Sequence, residues 1–347
     1  MPNFVGCRCC EDRIITHRLF DESGNLLWSR NLWKEGDSAD AVICRDGQSV
    51  IAWSPAASMP NLLRKYSATK GKLLHTGPVI GAHIYQAYNH REIESDNDGN
   101  VYYSASSGLY SYYPDLTSRF FTAYPSPTIS GGIAIVAVSP DGNKIAVLLR
   151  AFSASPVKAA LWEFDSSGNI QWELRWSGNS PPPPWTVGYD VSNTLWTACY
   201  ILSVNTRAPD GGSGGPYEAF VSYDSSGGIT GQKYGSEPEK WTATDYSEGL
   251  PYKSYNGGSP AYDIYDPDGS GTGGIGASLI NTYPKSIWQL DANTTGDKVA
   301  VSHSDGLYFY PSDFSSLLWN FPETVSSSFD IDCIDGLVLI GGPLRSR

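Results

Sequence analysis

The chain begins with the second half of a repeated unit and ends with the first half, which constrains its fold more than any other feature. The full unit is clearest over residues 133–176. Ile133–Ser139 reads as a strand, Pro140-Asp141-Gly142-Asn143 as a tight turn, and Lys144–Arg150 as a second strand. Ala160–Asp165 and Ile170–Trp176 follow as third and fourth strands around Ser166-Ser167-Gly168-Asn169. Short alternating runs bounded by Asp-Gly and Gly-Asn turns predict four antiparallel strands in one sheet. The same order recurs over 40–79, 92–124, 185–234 and 286–321, with a Gly-rich insertion from Arg207 to Pro216 in the 185–234 copy. Residues 237–284 have the length for one more, with Lys240–Thr244 and Ala261–Tyr265 as two of its strands.

At the start, Ile14–Phe20 and Leu26–Leu32 read as a third and a fourth strand around Asp21–Asn25. At the end, Phe329–Cys333 and Leu337–Ile340 read as a first and a second strand around Asp335-Gly336. The two halves make one sheet. Pairing them closes a ring and removes the exposed edges that an open stack would leave. Seven sheets at about 50 residues each account for the length, and six with a long insertion is the competing count. A register follows, because Cys44, Asp96, Ser139 and Cys333 each precede the glycine of the first turn by three residues. They are expected to be equivalent, with Cys44 and Cys333 equally buried and on the same blade face.

Composition agrees with an all-β chain. The 347 residues include 36 Gly and 23 Pro, too many turn-formers for a helical bundle. A hydrophobic content of 40% supports a packed core rather than disorder. No apolar run approaches the roughly 18–20 residues of a membrane span. The net charge of −12 makes nucleic acid an unfavourable partner. Residues 1–12 lack the basic and apolar regions of a secretory signal, so the expected location is cytoplasmic or virion-associated, or else the chain is already processed. They form a Cys-rich N-terminal tail, and 13–347 a single repeat domain.

Asp98–Asp115 resembles the repeat of quinoprotein-like (PQQ-like) β-propellers, as do Gly306–Asp313 with Leu318-Trp319, and Leu19–Trp28. Ser139-Pro140-Asp141-Gly142 resembles the turn common in WD40-like propellers. The resemblance implies a closed propeller of four-stranded antiparallel blades. It implies little about activity, because propellers serve as enzymes, scaffolds and lectins alike. Enzymatic quinoproteins are generally larger, eight-bladed and exported, and use a calcium-bound quinone with a catalytic Asp and often a vicinal disulfide. Here the vicinal pair Cys9-Cys10 falls in the tail, outside the ring.

Several motifs have a simpler structural reading beside the functional one. Gly271–Gly276 fits a dinucleotide fingerprint, and Gly211–Gly215 a nucleophile elbow, but each needs a following helix that Gly- and Pro-rich surroundings forbid. Asp263, Asp266 and Asp268 resemble part of a calcium loop, but Ala277 stands where the distal Glu belongs, so an Asx-rich turn is the alternative. Cys7, Cys9 and Cys10 are soft ligands that would need a fourth, such as His17, for zinc; cross-linking to a neighbouring chain and a passive tail are the alternatives. Tyr85, Tyr88, Trp185, Tyr189, Trp241, Tyr246, Tyr252 and Tyr255 are candidates for an aromatic face that stacks on sugars or proteins. Packing between blades is the alternative for each.

The first expectation for function is a non-enzymatic structural or interaction protein with protein partners and no cofactor, such as a phage or virus particle component or another extracellular assembly subunit. A carbohydrate-binding module or adhesin is the second, and a glycan-active or quinone-dependent enzyme the third.

Overall fold

The computed structural model describes residues 15–33, 40–53, 62–79, 93–105, 107–125, 132–151, 158–177, 184–189, 192–200, 218–235, 252–255, 262–266, 278–283, 287–293, 295, 297–303, 305–322 and 330–343. They form seven antiparallel sheets, six of four strands and one of three. Blade 1 joins the two ends of the chain. From inner to outer edge it runs Asp330–Ile334, Leu337–Pro343, Ile15–Asp21, Leu26–Trp33. The expected closure is observed, with His17 opposite Gly341 and Leu19 opposite Leu339.

Blade 2 is Asp40–Ile43, Ser49–Trp53, Leu62–Ser67, Leu73–Val79. Blade 3 is Ile93–Ser95, Val101–Ala105, Gly108–Tyr112, Ser118–Ala123. Blade 4 is Gly132–Val138, Lys144–Ala151, Ala159–Asp165, Ile170–Trp176. Blade 5 is Pro184–Tyr189, Leu195–Tyr200, Glu218–Tyr223, Ile229–Gly235. Blade 7 is Ile287–Ala292, Lys298–His303, Gly306–Pro311, Trp319–Pro322. Blade 6 shows three strands, Tyr252–Tyr255, Tyr262–Asp266 and Ser278–Tyr283. Its expected strand at 240–244 lies outside the described residues. Among the described residues, inner strands of successive blades lie side by side from blade 1 to blade 5 and from blade 7 to blade 1, and Tyr252–Tyr255 of blade 6 touches the inner strand of blade 7.

The core is divided into slabs between blades, because each sheet buries both faces. Val136, Val138 and Trp162 of blade 4 pack against Tyr102 and Leu109 of blade 3. The opposite face of blade 4, with Ile135 and Leu161, packs against Val187 and Tyr189 of blade 5. Aromatics recur in these slabs, and the Tyr124 ring stacks on Trp162 at 4.6 Å.

A second device ties the outer strands. The glycine between third and fourth strands lies under an aromatic ring of the preceding blade. A Cβ on Gly24 would sit 2.8 Å from the Trp319 ring, and one on Gly71 2.9 Å from Trp28. Gly168 meets Phe120 and Gly227 meets Trp172 in the same way. Two of the rings also cap the turn they cover, Trp28 Nε1 donating to Ala68 O and Trp319 Nε1 to Glu22 O, both at 2.8 Å. Between blades 2 and 3 the sizes are exchanged. Leu116 takes the turn position at φ 65°, and Gly77 lies on the preceding fourth strand, where a Cβ would be 3.3 Å from Leu116.

The register expectation holds in burial and fails in facing. Cys44 and Cys333 are both buried. Cys44 packs with Ile93 and Tyr103 of the following blade, whereas Cys333 packs with Leu307 and Phe309 of the preceding one. The cause is turn length. Cys44 N–H bonds Ser49 O across four intervening residues, but Ile334 pairs directly with Leu337 across Asp335-Gly336. Counting back from the glycine therefore slips by one, and a one-residue slip reverses the face. Cys333 corresponds to Ile43.

Candidate interaction surface

Inner strands form the free edges of the sheets, so every second backbone N–H points away from its own blade and needs a partner. At two junctions a carboxylate of the preceding inner strand supplies it. Asp291 Oδ2 accepts the N–H of Cys333 at 2.6 Å, and Asp332 Oδ2 accepts that of Ile43. The two links are one interaction repeated, and they flank the blade that joins the chain ends. Both aspartates are buried.

On the other side of blade 2, Arg45 does the corresponding work. Its Nη1 and Nη2 donate to Ser139 O at 3.0 Å and Val138 O at 2.8 Å, at the end of the inner strand of blade 4. On the way it passes Glu94 of blade 3, with Nε 3.9 Å from Oε1, and its N–H donates to Ser95 Oγ at 2.9 Å. Both charged side chains are about nineteen-twentieths covered, at 4% and 5% exposed. One side chain thus spans three blades beside the ring axis. The signal in the sequence was a charged residue, Glu94, Asp291 or Asp332, set into an otherwise apolar first strand.

Buried charge is used the same way between blades 4 and 5. Glu163 accepts from Trp172 Nε1 at 3.2 Å and from Tyr189 OH at 3.1 Å, with Lys144 Nζ 3.6 Å away. Burial, then the Glu163 charge, pushes the Tyr189 phenol well above its ordinary pKa, so it stays a donor.

First-to-second and third-to-fourth connections fall on one face of the ring. In blades 1, 4 and 5 the third-to-fourth connections are tight turns held by aspartate. Asp21, Asp165 and Asp224 each accept the backbone N–H groups two and four residues on, at 2.8–3.0 Å. Second-to-third connections and those between blades join strand ends on the opposite face, and 54–61, 80–92 and 201–217 are long stretches of this kind.

The aromatic candidates separate on this frame. Tyr189 is fully buried and its hydroxyl is taken by Glu163, which corrects the expectation of an exposed ring. Trp185 belongs to the inner strand of blade 5, and Tyr252 and Tyr255 pair with Tyr265 and Tyr262 in blade 6. Tyr85, Tyr88, Trp241 and Tyr246 lie outside the described residues, the first two between strands that end on the long-loop face. So do Cys7, Cys9, Cys10 and Asp268. His17 is completely buried in blade 1 against Gly341. Asp263 and Asp266 fall in the strand Tyr262–Asp266. Among the described residues, no group of three or more His, Cys, Asp or Glu stands together as a metal site, and no helix is long and apolar enough to cross a membrane.

No protein-family profile matches the sequence, and neither does any curated protein. Solved structures match in shape. The β-propeller domain of Cps50 (Swd1) from Myceliophteria thermophila superposes with a TM-score of 0.54 at 11% identity, covering 87% of this chain and 95% of that one. The fold is a β-propeller. Since 861 solved chains match, the likeness singles out no activity.

Proposed function

We propose that the chain is a non-enzymatic interaction protein, a rigid ring that carries partner-binding loops and serves as a subunit of a larger assembly. The observation that carries this reading is the asymmetry of the two faces. One face carries the short aspartate turns of blades 1, 4 and 5, with 267–277 the one long stretch that joins strand ends there, and the long connections 54–61, 80–92 and 201–217 join strand ends on the other. Binding residues concentrate on loops that a rigid scaffold positions. The charged side chains at the ring axis fit the same reading, because Asp291, Asp332 and Arg45 are each committed to holding one blade to another. A phage or virus particle is one assembly of this kind. The test is to isolate the native protein with whatever it is bound to. Co-sedimentation with particle or other assembly proteins supports the reading, and recovery of the uncomplexed chain alone overturns it.

A second reading has its own support. Tyr85 and Tyr88 belong to the 80–92 connection of that face, Trp241 and Tyr246 to the stretch 236–251, and amphipathic rings suit sugar stacking. A glycan array probed with the wild-type chain and with Trp241→Ala decides it. Binding that the substitution abolishes selects carbohydrate recognition over protein assembly.

A further inference from the structure

The outer rim of blades 7, 1 and 2 carries the same exposed feature three times in succession. A leucine pair stands at the start of each fourth strand, Leu26-Leu27 and Leu73-Leu74 within it and Leu317-Leu318 just before it, and all six side chains are between 38% and 49% exposed. The pairs follow one another along the rim. Trp319, next to Leu318, lies on Gly24, two residues before Leu26. Trp28, next to Leu27, lies on Gly71, two residues before Leu73. The result is a row of exposed leucine pairs along three blades, set apart by the turns 21–25 and 68–72, and clustered exposed apolar side chains mark an interface.

Charge along the row is polar. Asp313 stands on blade 7, and Asp21 and Glu22 stand in the blade 1 turn that faces it. Lys298 closes onto Glu22 at 3.0 Å and lies 3.7 Å from Asp297, so this side keeps a net negative charge. Hydrogen bonds from Asn25 and Ser315 hold the carboxyl groups of Asp21 and Asp313 below their ordinary pKa. On the other side of Leu26-Leu27 stand Arg30 of blade 1 and Lys70 and Lys72 of the blade 2 turn that faces it, with Arg30 Nη2 3.4 Å from Lys70 O. Asp115 of blade 3 lies beyond blade 2, where the exchange of Gly77 and Leu116 ends the pattern.

We propose that this row is a self-association surface that docks a second copy of the chain about a two-fold axis. A two-fold axis lays the row against itself in reverse. The leucines then meet leucines at the centre, and the acidic side of each copy meets the basic side of the other. That local match is needed, because two chains of net charge −12 repel at longer range. A uniformly acidic rim would favour a basic partner instead. A rim acidic on one side and basic on the other is complementary to itself. Docking here leaves the long-loop face free, so it stands whether or not those loops bind a partner.

Sedimentation velocity of the full chain over a concentration series tests it. The expected result is a reversible monomer–dimer equilibrium. Leu26→Ser/Leu73→Ser/Leu317→Ser, all exposed positions, is expected to weaken it by about tenfold or more with an unchanged melting curve. Lys72→Glu weakens it, and Lys72→Glu combined with Asp313→Lys restores it, a rescue that general stickiness does not produce. A monomer at every concentration, an association that survives the leucine variant, or a reversed charge pair that fails to rescue each overturns the proposal. So do cross-links from Leu74→Cys that map to another protein rather than to a second copy of this chain.

Discussion

Asp332 Oδ2 accepts the backbone N–H of Ile43 across the junction between blades 1 and 2. Blade 1 is the only sheet built from both chain ends, so this contact holds the closing blade to its neighbour from the inside. Replacing Asp332 with Ala leaves the Ile43 N–H buried without that acceptor. The expected cost is about 1–3 kcal/mol, the range for an orphaned buried donor. Asp332→Asn keeps an oxygen in place and costs less. Urea unfolding midpoints measure the difference. Faster hydrogen exchange at the Ile43 amide in the Ala variant localises it.

The outer rim yields a paired prediction. Gly24 and Gly336 have nearly the same backbone, at φ 80° and 85°. They differ in surroundings, with the Trp319 ring 2.8 Å from a Cβ on Gly24 and nothing within 4 Å of one on Gly336. Gly336→Ala pays only the left-handed conformation, about 1–2 kcal/mol. Gly24→Ala pays that and must also displace the ring, for about 2–4 kcal/mol in all. Equal losses in chemical denaturation would mean that the ring yields freely and is no clamp.

The strands and their closure were legible because they rest on local chemistry: period-two alternation, Asp-Gly turns and two half-units that complete each other. The links between blades were not. Asp291 and Cys333 are far apart in sequence, and no local pattern announces that one carboxylate reaches the next inner strand. The misplaced register of Cys333 came from a local difference too, a turn shortened from four residues to two. Tyr189 was misread because a tyrosine beside a loop and a tyrosine in a slab look alike until the neighbouring blade is present. The leucine pairs were visible all along, but only the Trp28–Gly71 and Trp319–Gly24 contacts set them in one row.

Cys44 supplies a chemical test of the inner slab. Burial, opposed in part by the Lys65 charge, pushes its thiol up to about 12. The thiolate is the reactive form, so at pH 8 the folded protein is expected to leave Cys44 unlabelled by iodoacetamide. Peptide mapping by mass spectrometry reads that residue apart from the other cysteines. Denaturant restores ordinary labelling. Rapid modification of Cys44 under native conditions would show that blades 2 and 3 separate readily.

The turn aspartates set the response to acid. Hydrogen bonds lower the carboxyl pKa of Asp21, from Asn25 first, of Asp115, from Thr117, and of Asp224, from Ser226. The unfolded value is about 3.9. A folded pKa below the unfolded one means that the unfolded chain binds more protons in that range. The stabilisation is therefore complete well above pH 4 and is lost as pH falls through the folded values. Melting temperature is expected to stay level from pH 7 to about 5 and to drop steeply below 4. Asp21→Asn, Asp115→Asn and Asp224→Asn combined should flatten that drop, because an amide has no proton to gain. If the combined variant loses stability with the same slope as the wild type, the acid sensitivity does not come from these turns.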